Sequence, residues 1–181
     1  MMRKSLIAMI ATMLFGVSAA NASVYKFTFE SSDAELTASG QITANTAGEV
    51  TGVSGVISGL ADQTISAVAG NPSFPGAAYS ADDLFIYDNQ FHASGMPFDL
   101  DGLLFVTTQN PGGFWNLWGN SPGNYSLFES AGGGYPVQES GTLSVAAAPE
   151  PSTWTMLALG LASLGLVGRR RRTERLAPAF G

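Results

Sequence analysis

A run of 15 residues without a charge, 153–167, lies between Pro149-Glu150-Pro151-Ser152 and Gly168-Arg169-Arg170-Arg171-Arg172. This stretch constrains the chain most, because it reads as a membrane segment and not as part of a folded core. As a helix at ~1.5 Å per residue it covers about 22 Å, short of a ~30 Å hydrocarbon core. The four arginines assign that end to the cytoplasmic side, and Trp154 at the other end suits an interface. Pro149 and Pro151 cannot extend the helix and push the residues before them toward extended backbone. The expected product is an extended peptide just outside a short span, a form that a processing enzyme can grip. An ordinary anchor that is never cut is the plainer alternative.

The other end of the chain agrees. Arg3 and Lys4 precede an apolar stretch at 6–17, and Ala20-Asn21-Ala22 fits small-x-small cleavage. Residues 1–22 therefore read as a secretory signal peptide, cut between Ala22 and Ser23. Both ends predict that 23–148 crosses the inner membrane while the arginines stay behind.

Taken together, the Pro-Glu-Pro box, the short apolar helix and the arginine block resemble the PEP-CTERM sorting signal of Gram-negative bacteria, with Ala148 where Val is common. The resemblance implies that a membrane-embedded exosortase reads Pro149, Glu150, Pro151 and Arg169, Arg170, Arg171 and Arg172, and cuts near the Pro-Glu-Pro box. It also implies passage through Sec and signal peptidase, a transient inner-membrane precursor held through 153–167, and a final place at the cell surface or in the extracellular matrix. A setting of exopolysaccharide and biofilm comes with it.

Between the two signals lie 126 residues, enough for one domain with a modest core. They hold twelve acidic residues and one basic residue, Lys26, so the exported part carries about −11 while the whole chain carries −6. Nucleic acid and anionic lipid are poor partners for such a surface. The chain has no cysteine, so stability must come from packing alone.

This middle reads all-β. Tyr25, Phe27 and Phe29 alternate with Lys26, Thr28 and Glu30, the period of a half-buried strand. Further strands are expected at 36–43 and 50–58, joined by the turn Asn45-Thr46-Ala47-Gly48, and at 64–68, 84–87, 103–106, 114–118, 125–128 and 142–145. Residues 70–78, with Pro72 and Pro75, read as a loop. Leu103-Leu104-Phe105-Val106 is apolar on both faces and marks the core centre. Gly and Pro recur every ~8–12 residues, which argues for a sandwich or a barrel. Two layers of short antiparallel strands fit the length, so the expected fold is a β-sandwich ectodomain. The Gly-rich hairpin 48–59, the Asp101-Gly102-Leu103-Leu104-Phe105 strand and Asn116-Leu117-Trp118 also resemble, loosely, ectodomains attached to such tails. That resemblance transfers no catalytic residue.

Chemistry is sparse. Gly119-Asn120-Ser121-Pro122-Gly123 fits G-x-S-x-G, but the residue after the serine must donate a backbone N–H, and Pro122 has none. His92 is the only histidine, so it alone could serve as a triad base, and with no cysteine a zinc-type ligand set is absent. Asp99-Leu100-Asp101-Gly102 resembles half of a calcium loop without its distal Glu, and Asp82, Asp83 and Asp88 could converge on it. Trp115 and Trp118, set among Gly and Asn, could stack on sugar rings. Three residues apart on a strand, they should face opposite sides. The reading is an exported, non-enzymatic surface or matrix protein, with no catalytic residue and no cofactor. The alternatives are a lectin-like module, with or without Ca²⁺, and a secreted hydrolase.

Overall fold

The computed structural model describes residues 22–59, 62–70, 76–148 and 158–162. The chain divides into two compact units, Met1–Ala146 and Ala147–Gly181. In the first, β1 (Ser23–Ser31), β2 (Thr37–Ala44), β3 (Val50–Ser58), β4 (Gln63–Val68), β7 (Leu103–Thr107), β8 (Phe114–Ser121), β9 (Asn124–Ala131) and β10 (Gly134–Ala147) close into one barrel. Its order is β1-β10-β9-β8-β7-β4-β3-β2. The pairs from β1 through β4, β7, β8 and β9 to β10 are antiparallel. Two short strands, β5 (Ala78–Tyr79) and β6 (Ile86–Tyr87), form a separate ribbon.

The expected sandwich is therefore corrected to a barrel. Each of the eight wall strands has a neighbour on both sides, so they form one closed sheet and not two facing layers. Period-2 alternation is the same in both architectures, since each gives a strand one apolar and one polar face. Closure depends on local approaches that periodicity does not encode. Gly40 and Gly55 are register partners, and a Cβ on Gly40 would stand 2.8 Å from the Gly55 α-carbon. A Cβ on Gly141 of β10 would stand 2.0 Å from the Glu30 carbonyl oxygen of β1.

The barrel is filled, not hollow. Phe27, Phe29, Ile42, Ile57, Leu103, Phe105, Trp115, Leu117 and Leu127 form its core, and Phe91 and Phe98 of the β6–β7 connection join them. Lys26, Thr28 and Glu30 face out. Along β1, apolar inside and polar outside is the reverse of a membrane-spanning strand. Leu104 and Val106 leave the core cluster for a second one with Phe85 and Tyr87, beneath the ribbon. That is why β7 is apolar on both faces.

Several elements differ from the sequence expectation: β5 (Ala78–Tyr79) falls in none of the expected strands, and β8 and β9 run beyond 114–118 and 125–128. The strand expected at 84–87 shortens to Ile86–Tyr87, and the strand expected at 142–145 is the end of a 14-residue β10. Pro136 disguised the start of β10. It cannot donate to a ladder, and the register shifts between Gly134 and Val137 around it. Residues 71–75 of the expected loop lie outside the described residues, as does the signal peptide up to 21. Ser23, the expected first residue of the mature chain, is the first residue of β1.

In the second unit, residues 158–162 are helical, with Leu159 and Leu161 exposed. The rest of the expected 153–167 helix lies outside the described residues. Among the described residues no helix is long and apolar enough to cross a membrane.

Candidate functional site

The aromatic pair separates as strand geometry requires. Trp115 points into the barrel and is 1% exposed. Its Nε1–H donates to Gln63 Oε1 at 3.2 Å, and Thr107 Oγ1 donates to the same oxygen at 2.6 Å. Gln63 Nε2 and Asn110 Nδ2 in turn donate to Glu129 Oε1, so the buried polar groups around Trp115 form a satisfied network. Trp115 therefore presents no ring face to a ligand, which corrects its candidacy as a glycan contact. Trp118 points outward. Its Nε1–H donates to Asn120 Oδ1 at 3.1 Å, and its ring meets Phe128 edge-on at 4.7 Å.

Trp118 lines an open cleft of about 460 Å³ on the outer wall of the barrel. Leu84, Phe85 and Ile86 bound it from the ribbon, Phe128, Tyr135 and Gln138 from β9 and β10. Leu100, Asp101 and Asn116 complete it. The ribbon is pinned to the wall from both sides. Asp82 accepts from Ser130 Oγ and Ser80 Oγ, and Tyr135 Oη donates to the Leu84 carbonyl at 2.6 Å. Burial opposes ionisation of Asp82, but the bonds from Ser130, Ser80 and the Leu84 N–H prevail and hold its pKa below the ordinary value.

Beside this cleft three carboxylates converge. One oxygen each from Asp88, Asp99 and Asp101 lies within 4.8 Å of the others. Asp88 joins the pair read from sequence, whereas Asp82 is engaged with the ribbon. Asn89 sets this corner. It holds a left-handed backbone (φ 53°), which Asn tolerates. Its Oδ1 accepts from the Leu104 N–H and its Nδ2 donates to the Ala69 carbonyl, while its own N–H donates to the Gly102 carbonyl. Sequence reasoning missed Asn89; the signal was an Asp-Asn pair between two apolar stretches. Asp99 Oδ1 accepts the N–H groups of Asp101 and Gly102, and Asp88 Oδ1 that of Gln90. Burial raises the pKa of Asp88, and Asp99 and Asp101 raise it further. Burial and then Asp99 raise that of Asp101.

These are the groups among the described residues that could hold a metal ion. Three carboxylates supply only part of the six to eight oxygens that calcium takes. Asn116, behind the cleft, donates to the Ile86 and Asp101 carbonyls, and its Oδ1 is buried without a hydrogen-bond partner. That oxygen lies 2.9 Å from where a Cβ on Gly102 would stand, so it faces the backbone beside the carboxylates.

The remaining candidates are apart from this cleft. Ser121 ends β8 and leads through Pro122 and Gly123 into β9, a hairpin and not a strand-to-helix elbow. His92 lines a second cavity of about 430 Å³ with Tyr25, Asn45, Gln90 and Phe91, and its N–H donates to the Pro97 carbonyl.

Beyond the barrel, one comparison is decisive. The family model described as the PEP-CTERM protein-sorting motif matches residues 147–172. The chain carries a PEP-CTERM protein-sorting motif. The match begins where β10 ends, at Ala147, and runs through Pro149, Glu150 and Pro151 to Arg169, Arg170, Arg171 and Arg172. These seven residues lie outside the described residues. The motif supports an exported, surface-directed protein sorted by an exosortase. No curated protein and no solved structure matches the chain.

Proposed function

We propose that the barrel is a non-enzymatic cargo that the PEP-CTERM tail delivers to the cell surface or extracellular matrix, within exopolysaccharide or biofilm. The observation that carries this reading is the sorting motif at 147–172, whose match begins at Ala147, the last residue of β10. In this reading Sec exports the chain, signal peptidase cuts between Ala22 and Ser23, and 153–167 holds the precursor in the inner membrane. The arginines stay in the cytoplasm, and exosortase cuts near Pro149-Glu150-Pro151.

The barrel suits release into water. A closed wall has no free edge to template aggregation. An exported part carrying about −11 keeps copies apart, and a chain without cysteine needs no oxidative folding. The setting of Ser121, followed by Pro122 in a hairpin, supports the non-enzymatic part of the reading. Replacing Glu150 by Ala should leave the precursor in the inner-membrane fraction. Normal release of that variant would remove the recognition role of the Pro-Glu-Pro box.

A further inference from the structure

We infer that the outer cleft beside Trp118 binds a small organic cation, an ammonium group carried on a short aliphatic body. The cleft's volume of about 460 Å³ falls in the range of small-molecule sites. Its walls are mostly apolar, and two of them remain in water: Leu100 is 71% exposed and Ile86 43%. Uncovered apolar surface of this kind favours an aliphatic guest.

Charge decides which guest. Asp101 is the one ionisable carboxylate on the cleft wall, and its oxygen is grouped with those of Asp88 and Asp99. Among the described residues no Lys or Arg lines the cleft, and Lys26 is the only Lys or Arg between 23 and 148. A carboxylate or phosphate would meet repulsion there. A neutral guest would gain the apolar contact alone. An ammonium would gain a charge-assisted bond to Asp101 and attraction to the electron-rich faces of Trp118 and Phe128. Burial first and the neighbouring carboxylates next raise the carboxyls of Asp88 and Asp101, with the Gln90 N–H and His92 opposing the rise at Asp88. A bare metal ion would sit among the carboxylates and draw nothing from the hydrocarbon walls, so the cleft as a whole favours the organic cation. This inference concerns the barrel itself and does not depend on the sorting route.

The test uses the full-length ¹⁵N-labelled chain in nonionic detergent, reading the indole N–H signals of Trp115, Trp118 and Trp154. Trp118→Phe assigns the Trp118 signal by its loss. n-Butylammonium should shift the Trp118 signal saturably and leave Trp115 unmoved. n-Butanol should bind at least about tenfold more weakly, and butyrate should not bind. Asp101→Asn should weaken butylammonium about tenfold. If that variant misfolds, the wild-type salt dependence serves instead: affinity should drop severalfold as ionic strength rises, because the attraction is screened. Equal shifts from butanol or butyrate would overturn the charge selection, as would affinity indifferent to salt. A Ca²⁺ response that displaces butylammonium would replace the inference with a metal site. Glucose binding as well as butylammonium would replace it with a sugar site. No response from Trp118 to any butyl probe would end it.

Discussion

Closure of the barrel can be tested at Gly141, where β10 passes β1. No left-handed backbone is required there, so alanine is excluded only by space. Its Cβ would stand 2.0 Å from the Glu30 carbonyl oxygen and 2.8 Å from the Ser31 α-carbon. Both are backbone atoms and cannot rotate aside. The two strands must part by about 1.4 Å to reach ordinary contact. Next to this point the Ser32 N–H and hydroxyl both donate to the Ser140 carbonyl, at 2.9 and 3.0 Å. Overpacking costs about 1–3 kcal/mol and a weakened hydrogen bond about 1 kcal/mol more. Reduced freedom of the unfolded chain returns about 0.4–1 kcal/mol. Gly141→Ala should therefore lose about 2 kcal/mol, which in a domain of this size lowers Tm by about 6–10 °C. Thermal unfolding followed by far-UV circular dichroism reads the change. Gly134→Ala in the same strand is the control, since nothing lies within 4 Å of its would-be Cβ. If Gly141→Ala melts with the control, β1 and β10 do not meet at this point, and the strands form an open sheet or a sandwich.

Other perturbations probe the outer wall. Asp88→Asn keeps an oxygen for the Gln90 N–H but removes a carboxylate whose folded pKa is raised. Such a group destabilises the fold when ionised and ceases to do so as pH falls through its raised folded value toward the ordinary 3.8. The variant should thus melt above wild type at pH 7, with the gap closing on acidification; a lower Tm at pH 7 would refute this. Asp82→Ala should release the ribbon, costing about 1–2 kcal/mol in urea unfolding at pH 7. Because the folded pKa of Asp82 is depressed, wild type should lose that advantage as pH falls through the depressed value. A Trp118 emission unchanged by Asp82→Ala would argue that the ribbon does not depend on this carboxylate.

Much of this was legible in the residues. Alternation at Tyr25, Phe27 and Phe29 located β1, and the turn residues Asn45 to Gly48 located the β2–β3 hairpin, because both signals are local. The opposed faces of Trp115 and Trp118 followed from strand period alone. Closure was not legible, because it rests on approaches such as Gly141 to Glu30 between residues more than a hundred apart. The start of β10 was hidden by Pro136, although Gly132 and Gly133, both at positive φ, are the turn residues that announce a hairpin. The acidic corner was half visible: Asp99 and Asp101 stand together in sequence, but only the Asn89 staple brings Asp88 to them. The cleft was illegible, since its walls come from the ribbon, the β6–β7 connection and three barrel strands.

The sorting account is tested most directly by the intact mass of the mature protein, taken from surface and secreted fractions of strains with and without exosortase. The account predicts a species that starts at Ser23 and ends near Pro149-Glu150-Pro151, and that is lost without exosortase. A mass running to Gly181 in both strains would make the tail a plain anchor and contradict it.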